Sequence, residues 1–263
     1  MSPPLDGRTA LVTGAASGIG LAITQRLVSD GAHVLVGDID DGALAAVADR
    51  FGDSVTTAHC DVTDEASIEA FAALSSASGG LDIAVANAGK GTFGMVVDHP
   101  LEAWREIIDL CLTGVFLTVK HAARVMRDGG SIVNIASLNA IQPSAGMAAY
   151  CAAKAGVVMF TQVAAMELGS RGIRVNAVGP GLVETTATSP FFVLPGVVEE
   201  FVENTTVGRF AQPADVANLV AFLVGDESTF VSGSFHLVDG GASTKRYPNL
   251  PAAFERFGGL VAE

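Results

Sequence analysis

The amino-acid sequence predicts an α/β fold in which helices cover both faces of a parallel sheet of about seven strands. Short apolar runs alternate with longer helical patterns from the start of the chain to about residue 240, which is typical of repeated βαβ units. Glycine is frequent, with 30 residues, and only 6% of residues are aromatic, which favours closely packed helices on a buried sheet. With 263 residues, of which 49% are hydrophobic, the chain can bury a large core.

Seven runs are predicted strands: residues 9–13, 33–37, 54–59, 81–86, 131–136, 173–178 and 234–239. The clearest helix follows Pro213, where apolar side chains recur at helical spacing from Val216 to Leu223. No repeat, low-complexity block or linker divides the chain, so we expect residues 1–263 to form a single domain. Two segments depart from the alternation, a long connection at about 184–206 and a tail at about 242–263. Long connections in a compact domain are often lids or binding loops.

The charge and cysteine content limit the possible partners. A net charge of −13, with 15 scattered lysines and arginines, argues against a nucleic-acid surface, so we expect a small-molecule partner. The start of the chain does not resemble a signal peptide, and no run approaches the ~18 apolar residues of a membrane span. The three cysteines, Cys60, Cys111 and Cys151, lack a metal-ligand spacing. We therefore expect a cytoplasmic protein with reduced thiols, no membrane contact and no metal.

The segment "TGAASGIG" places Gly14, Gly18 and Gly20 between the first predicted strand and the first helix. Glycines there permit a tight turn and the close approach of a pyrophosphate, whose charge the helix N-terminus would stabilise. An ordinary turn is the alternative for a glycine cluster on its own. Asp38, which ends the second strand, could accept hydrogen bonds from an adenosine ribose and would repel a 2′-phosphate, which favours NAD over NADP. The alternative for Asp38 is an N-cap of the next helix.

Tyr150 and Lys154 lie four residues apart in "AAYCAAKAG", a spacing that puts them on one face of a helix. An ammonium group there would lower the pKa of the phenol and prepare it for acid/base work. Taken alone, such a pair is more often a packing residue and a solvated charge. Ser137 follows the fifth strand, at the sheet edge where such folds bind ligands, and its hydroxyl could bond a substrate oxygen. The three residues together indicate an active site.

Further motifs occur in order: "NAG" at residues 87–89, and Pro180 and Gly181 followed by Thr185 after the sixth strand. With TGxxxGxG at residues 13–20 and YxxxK at residues 150–154, the sequence resembles the short-chain dehydrogenase/reductase family over about residues 7–241. The resemblance implies a Rossmann-like, doubly wound sheet and an NAD(P)-dependent oxidoreductase. It also implies that Tyr150 is the acid/base, that Ser137 orients the substrate oxygen, and that Lys154 binds the nicotinamide ribose and perturbs Tyr150.

The resemblance also implies a set of cofactor contacts. In it Asp61 and the main chain of Val62 contact adenine, and Val183 and Thr185 hold the nicotinamide carboxamide. Asp61 could instead cap the helix that begins near Asp64, and Thr185 could be an ordinary loop hydroxyl. The complete implied set is Gly14, Ser17, Gly18, Ile19, Gly20, Asp38, Asp61, Val62, Asn87, Ala88, Gly89, Tyr150, Lys154, Pro180, Gly181, Val183 and Thr185.

One position departs from the family pattern. Many members carry an asparagine that holds a water for proton relay behind the lysine, and here Cys111 stands at that position, with Gly114 and Phe116 matching the rest of the motif. A thiol cannot reproduce the paired donor and acceptor of an amide. Either waters held by the backbone complete the relay, or proton exchange is slower, and Cys111 is given no catalytic role.

We expect reversible hydride transfer between NAD and a secondary alcohol or ketone. The apolar run of residues 191–194 favours a small lipophilic or alicyclic substrate if it closes over the site, and simple packing is its alternative. The candidate substrate contacts are Ser137, Asn139, Gln142 and Tyr150. The alternative for Asn139 and Gln142 is that they stabilise the turn before Pro143 without contacting substrate. The alternative functions are an NADPH-dependent keto or 3-oxoacyl reductase and a catalytically weak NAD-binding regulatory protein.

The family resemblance further implies a homotetramer or homodimer, assembled through the long helices that hold Cys111 and Tyr150 and through the last strand. The tail after Gly241 is less typical of the family. One hypothesis is that this tail reaches across a subunit interface and places Tyr247 or Phe254 near a partner's site.

Overall fold

Seven parallel strands form the centre of the computed structural model, which describes residues 4–192 and 196–252. The strands are β1 (Thr9–Thr13), β2 (His33–Asp38), β3 (Val55–His59), β4 (Leu81–Ala86), β5 (Met126–Ile135), β6 (Arg174–Pro180) and β7 (Phe235–Val238). They lie in one sheet in the order β3-β2-β1-β4-β5-β6-β7. The order reverses between β1 and β4, the place where open sheets of this class form a ligand crevice. The predicted seven-stranded parallel sheet is thus confirmed.

Nine helices accompany the strands within the described ranges. They are α1 (Gly18–Ser29), α2 (Asp41–Phe51), α3 (Glu65–Ala73), α4 (Leu101–Ile108), α5 (Gly114–Val125), α6 (Ala148–Leu168), α7 (Ser189–Phe192), α8 (Val197–Glu203) and α9 (Pro213–Val224). A π-helical turn, Asp109–Thr113, joins α4 to α5, so the two form one continuous helix with a wider turn in its middle. Such turns often occur at functional sites.

The helices bury both faces of the sheet. Alternate strand residues point to opposite faces, so Val12 joins one apolar cluster with α1 and α9 while Leu11 joins another with α3, α5 and α6. Each helix contributes its apolar side, for example Ile23 and Val220 in the first cluster and Val119 in the second. The helices on both sides leave only the strand ends open, which is where a site can form.

The predicted strand boundaries differ mainly at β5, which begins at Met126, five residues before the predicted start at residue 131. The register with β4 shifts there, since Leu81 pairs with Met126 while Ile83 pairs with Ser131. The intervening irregularity contains Gly129, at a φ of 83° that favours glycine. Sequence patterns associate such glycines with turns, which is why the first part of the strand was missed.

One helical run among the described residues, Ala148–Arg171, is long and apolar enough to cross a membrane by length and composition alone. It comprises α6 and the short turn that follows, and it packs against β6 in the sheet. Lys154 and Tyr150 lie within it. It is therefore a helix of the folded core that also carries the candidate catalytic pair.

Candidate active site

The glycine turn after β1 requires residues without side chains. Gly14 has a φ of 59°, and a methyl group built on it would lie 2.8 Å from the Cα atom of Ala88. A methyl group on Gly20 would lie 2.0 Å from the carbonyl oxygen of Gly14. The Asn87 Nδ2 donates to that same oxygen at 2.8 Å, and the Asn87 N–H donates to Thr13 Oγ1 at 3.1 Å. The ends of β1 and β4 are thereby tied together beneath an exposed stretch of backbone.

A cleft of about 730 Å³ opens above this turn, at the carboxyl ends of the strands. It brings together all the sequence-predicted site residues except Gly20, which packs beneath the turn, and Gln142. The predicted residues that line it are Gly14, Ser17, Gly18, Ile19, Asp38, Asp61, Val62, Asn87, Ala88, Gly89, Ser137, Asn139, Tyr150, Lys154, Pro180, Gly181, Val183 and Thr185.

The N-terminus of α1 faces this cleft and suits an anion. Ser17, the N-cap residue, makes no side-chain cap hydrogen bond, so no side chain of its own covers the first backbone N–H groups of the helix. Ser17, Gly18 and Ile19 all line the cleft. Uncapped N–H groups and the positive end of a helix dipole fit the pyrophosphate of a dinucleotide.

Neither Asp38 nor Asp61 caps a helix. The N-cap of α2 is Asp40, whose Oδ1 accepts from the Ala43 N–H at 2.9 Å, and the N-cap of α3 is Asp64. The alternative in which Asp38 or Asp61 caps a helix is therefore wrong. Asp38 Oδ2 accepts from the Ala16 N–H at 3.0 Å, which fixes its carboxylate beside the glycine turn.

Asp61 is held by its own loop. Its Oδ1 accepts hydrogen bonds from the backbone N–H and the hydroxyl of Thr63, at 2.9 and 2.7 Å. Val62 beside it is buried, and a methyl group on Gly114 would lie 2.8 Å from the Val62 side chain. This close approach of α5 to the loop holds Asp61 and Val62 at the rim of the cleft.

Ser137, Tyr150 and Lys154 meet where β5 ends. Ser137 follows β5 and its hydroxyl acts to lower the pKa of Tyr150, which lies one turn along α6 from Lys154. The Lys154 Nζ is 5.6 Å from the centroid of the Tyr150 ring and donates to the Ile135 carbonyl at 2.8 Å. Lys154 is only 3% exposed. The arrangement places two hydroxyls and an ammonium group around one point in the cleft.

The electrostatics of the protein alone differ from the sequence-based expectation. Burial raises the pKa of Tyr150 above its ordinary value, and the nearby Cys111 thiol acts in the same direction, while the hydrogen bond with Ser137 acts against them. Burial also lowers the pKa of Lys154. The expected lowering of the Tyr150 pKa by Lys154 is therefore not present in the protein by itself. The phenol is protonated, which suits it to donate a proton.

Cys111 lies buried in the π-helical turn, behind the catalytic pair. Its thiol donates to the Lys90 carbonyl oxygen, with Sγ 3.3 Å away. A methyl group on Gly89 would lie 3.4 Å from Cys111 Sγ and 3.5 Å from Lys154 Nζ, so both atoms flank Gly89. The thiol thus bonds a backbone carbonyl close to the lysine, and it offers no amide group there.

The loop after β6 brings Val183 and Thr185 to the cleft. A bridge from Val183 to Ala211 fixes the backbone of this loop. The Thr185 side chain accepts from the Thr188 N–H and caps the short turn Thr186–Thr188 while lining the cleft. Both interpretations of Thr185, as a loop hydroxyl and as a cleft residue, are compatible with this placement.

Asn139 and Gln142 take different places. Asn139 is buried in the lining, where its Nδ2 donates to the Gln142 carbonyl and stabilises the turn. The Gln142 Nε2 donates to the carbonyl oxygens of Ala242 and Lys245, at 3.2 and 2.7 Å, so this side chain binds the tail instead of the cleft. Gln142 was predicted to contact substrate, and the structure places its amide away from that position.

The tail also differs from the expectation. Tyr247 lines the cleft of its own chain, because its hydroxyl donates to Asn139 Oδ1 at 3.2 Å and its ring packs on Phe201. We expected that Tyr247 could lie near a partner's site, and the structure places it at the cleft of its own chain. Phe254, the other residue proposed for that role, lies outside the described residues.

The predicted apolar run of residues 191–194 has two described residues, and one of them lines the cleft. Phe191 lines it, whereas Phe192 packs edge-on against Phe210, with ring centroids 4.9 Å apart. Val193 and Leu194 of the same predicted run lie outside the described residues. Sequence reasoning missed several apolar lining residues, Met147, Leu182, Phe201 and Leu250. Only Phe201 could have been found from the sequence, because its i, i+4 spacing from Val197 indicates a buried helix face.

Within the described ranges no group of three or more histidine, cysteine, aspartate or glutamate residues could hold a metal ion. The polar groups of the cleft are hydroxyls, two carboxylates, two lysines, two asparagine amides, a thiol and exposed backbone. This set suits a dinucleotide and an alcohol or carbonyl group.

Comparison with known proteins agrees with this geometry. A family model described as enoyl-(acyl carrier protein) reductase matches residues 14–243. The chain is 39% identical over 244 residues to a 3-alpha-(or 20-beta)-hydroxysteroid dehydrogenase of Mycobacterium tuberculosis, covering 92% of this chain and 91% of the relative. It is 42% identical over 242 residues to a cis-4-hydroxycyclohexanecarboxylate dehydrogenase of Sinomonas cyclohexanicum, covering 89% and 96%. A solved short-chain type dehydrogenase/reductase from Mycobacterium ulcerans is 32% identical, with a TM-score of 0.93 and 97% of each chain covered.

Proposed function

Because this chain belongs to the short-chain dehydrogenase/reductase family, we propose that it is an NAD-dependent dehydrogenase of small lipophilic or alicyclic secondary alcohols. The observation that carries the proposal is the meeting of Ser137, Tyr150 and Lys154 in the same cleft as the glycine turn and Asp38. Such a cleft can hold a dinucleotide and an alcohol side by side.

Each residue of the site has a role in this proposal. The Ser137 hydroxyl and the Tyr150 Oη bind the substrate oxygen, and Tyr150 in its deprotonated form accepts the alcohol proton as the alcohol is oxidised. Lys154 stabilises negative charge on that oxygen and binds the ribose. NAD, when bound, supplies the hydride acceptor and a positive charge on its nicotinamide. That charge would offset the burial that raises the Tyr150 pKa in the protein alone.

The preference for NAD rests on Asp38. Its carboxylate lines the cleft beside the glycine turn and would accept hydrogen bonds from the ribose hydroxyls while repelling a 2′-phosphate. The charged residues in the lining are Asp38, Asp61, Lys90 and Lys154, and Lys90 forms an ion pair with Glu106. No arginine lines the cleft among the described residues. These features support NAD over the alternative of an NADPH-dependent reductase.

The substrate class rests on the lining and on the relatives. Two relatives are named for hydroxysteroids and hydroxycyclohexanecarboxylates, and a third for a chlorinated cyclohexadiene diol. All three names describe hydroxyl groups on compounds that contain alicyclic rings. The apolar lining of this chain, which includes Met147, Leu182 and Phe201, suits such a ring.

We also propose a homotetramer or homodimer and a cytoplasmic location. The outward side of α6 exposes Met159, Val163 and Met166, and α5 exposes Phe116 beside it. An apolar surface of this kind on two neighbouring helices is typical of an interface. The free cysteines agree with a reducing compartment. Light scattering of the purified protein tests the assembly.

The deciding experiment measures NADH formation with a panel of alicyclic secondary alcohols, in the wild type and in Tyr150→Phe. We expect turnover with NAD that the Tyr150→Phe substitution abolishes. If no alcohol on a broad panel gives Tyr150-dependent NADH, the protein is better described as a catalytically weak NAD-binding protein. Tighter binding of NADP(H) than of NAD(H) in parallel titrations would contradict the role of Asp38.

A further inference from the structure

The segment that follows β7, residues 242–252, is fastened to the body of its own chain on two sides. Gln142 binds it from one side through the carbonyls of Ala242 and Lys245. From the other side, the Lys245 Nζ donates to the Glu203 carbonyl at 2.7 Å, and Arg246 pairs with Glu200 at 2.7 Å. These contacts join the segment both to the turn after Ser137 and to α8.

Tyr247 directly follows these anchored residues and lines the cleft. Its ring packs edge-on against Phe201, with centroids 5.6 Å apart, and its hydroxyl donates to Asn139 Oδ1. Tyr150 and Tyr247 both pack against the same buried apolar cluster, which includes Met147 and Phe201. The wall that Tyr247 forms is therefore continuous with the surroundings of the candidate acid/base.

The two lysines of the cleft are already bonded to other groups of the protein. Lys154 is bonded to the Ile135 carbonyl beside Tyr150, and Lys90 is paired with Glu106. The two cations within the described residues 242–252, Lys245 and Arg246, do not line the cleft, because they bind carbonyls and Glu200 outside it. Among the described lining residues, the apolar part of the cleft thus offers no cation to a bound anion. A carboxylate buried there would lose its hydration without gaining a partner.

The Tyr247 hydroxyl does not change this balance. Burial raises the pKa of Tyr247 to about 12, so the group stays a neutral phenol at physiological pH. Its proton is already donated to Asn139, so the hydroxyl has none left for a substrate carboxylate.

We propose that Tyr247 is a specificity-determining residue, and that the wall formed by residues 242–252 makes the cleft select neutral alicyclic alcohols over carboxylated ones. This inference rests on the proposed dehydrogenase function and adds a substrate class to it. The ring of the substrate packs against Tyr247 and Phe201 while its hydroxyl reaches Ser137 and Tyr150. A carboxyl group on the far side of that ring would lie against apolar side chains.

The first test compares two matched ketones, 4-methylcyclohexanone and 4-oxocyclohexanecarboxylate, by calorimetric titration into the wild-type protein loaded with NAD⁺. A ketone cannot pass a hydride to NAD⁺, so the titration measures binding without turnover. We expect the neutral ketone to bind at least about tenfold more tightly, the discrimination that an apolar pocket with no counter-charge gives. Equal or tighter binding of the carboxylate would overturn the inference.

The second test uses Tyr247→Ala and Tyr247→Phe, with Phe230→Ala as the matched control, since Phe230 is an aromatic residue exposed outside the cleft. We expect Tyr247→Ala to raise KM for a neutral ring alcohol roughly tenfold and to change little for 2-propanol, which is too small to reach the wall. Tyr247→Phe retains the ring and most of this affinity. Circular dichroism and NAD binding verify that each variant folds.

Three outcomes separate the possible roles. A uniform fall in kcat for every alcohol in both Tyr247 variants would mean that the hydroxyl acts through Asn139 on the Ser137 turn, and would overturn the specificity role. Neutral-ketone binding that depends on Tyr247, without any alcohol turnover, would support this inference and refute the proposed enzyme function. Turnover that prefers carboxylated rings would support the enzyme function and refute this inference.

Discussion

The Lys154 Nζ lies 5.6 Å from the centroid of the Tyr150 ring and is held there by a 2.8 Å hydrogen bond to the Ile135 carbonyl. The bond ties a residue of α6 to the end of β5, so the ammonium has a fixed position relative to Ser137, which comes two residues after Ile135. The sheet edge and the helix thus determine the geometry of the catalytic group together, and neither element would do so alone.

Replacing Lys154 by methionine keeps the length of the side chain and removes its charge. We expect Lys154→Met to lower kcat for alcohol oxidation by about a hundred- to ten-thousand-fold, the usual contribution of a positioned acid/base system. NAD should also bind more weakly, because the ribose contact is lost. Steady-state kinetics and NAD titration measure both effects. Lys120→Met, which alters a partly exposed lysine paired with Glu65 outside the cleft, is the control, and equal losses in both variants would contradict the proposal.

The pH dependence of the phenol should change when NAD binds. In the protein alone burial raises the Tyr150 pKa, so its phenolate absorbance should appear above the ordinary value of ~10. The positive nicotinamide should lower this pKa, and alcohol oxidation, which needs the deprotonated group, should speed up as pH rises while ketone reduction slows. The difference spectrum between wild type and Tyr150→Phe, with and without NAD⁺, measures the shift. A Tyr150 pKa that NAD⁺ leaves unchanged would contradict the mechanism.

The role of Asp38 can be separated from the structure of its loop. Asp38→Ala should weaken NAD binding and reduce the preference for NAD over NADP by roughly tenfold or more, because the ribose acceptor and the repulsion of a phosphate are both lost. Asp40→Ala provides the control, since Asp40 caps α2 and its loss should cost ~1 kcal/mol of stability without altering cofactor preference. If the two variants change the preference for NAD over NADP equally, Asp38 does not recognise the ribose.

Stability should fall in strong alkali. Burial raises the pKa of Tyr247 and that of Cys60 to about 12 each, above the ordinary values of these groups. A group whose pKa is higher in the folded chain than in the unfolded chain contributes its full stabilisation at pH values below its unfolded pKa. This stabilisation is lost as the pH rises through the folded pKa, because the unfolded chain releases the proton first. The free energy of unfolding, measured in urea, should therefore decrease between about pH 9 and about pH 12. Tyr247→Phe should reduce the slope in the upper part of this range, and an unchanged slope would show that Tyr247 is not buried in solution.

Much of the sheet and of the cleft is predictable from local patterns. Strands and helices alternate, and a parallel sheet collects the residues that follow its strands at one edge, so Gly14, Asp38, Asn87, Ser137 and Pro180 had to meet. The capping roles of Asp40 and Asp64 were less certain, because "GDID" and "CDVTD" each offer two carboxylates within four residues. Only the backbone geometry decides which carboxylate starts the helix and which faces the cleft.

The tail could not be placed in this way. Tyr247 faces its own cleft because Asn139 offers an acceptor and Phe201 a ring face, and these residues are distant from it in the chain. The electrostatic state of Tyr150 was also beyond sequence reasoning. The i, i+4 spacing predicted that Lys154 would lower the pKa of Tyr150. In the structure burial raises this pKa, and the burial depends on the packing of α8 and the tail around the phenol.

The π-helical turn at Asp109–Thr113 sets a limit on how this region can vary. A turn with one extra residue rotates the faces of α4 and α5 relative to each other by about 100°. Ile107 and Cys111 can therefore pack on α6 while Val115 and Val119 face the sheet. Losing a single residue there would turn one of these two surfaces toward solvent, so homologous chains should vary the exposed side chains of this helix and yet keep its length constant.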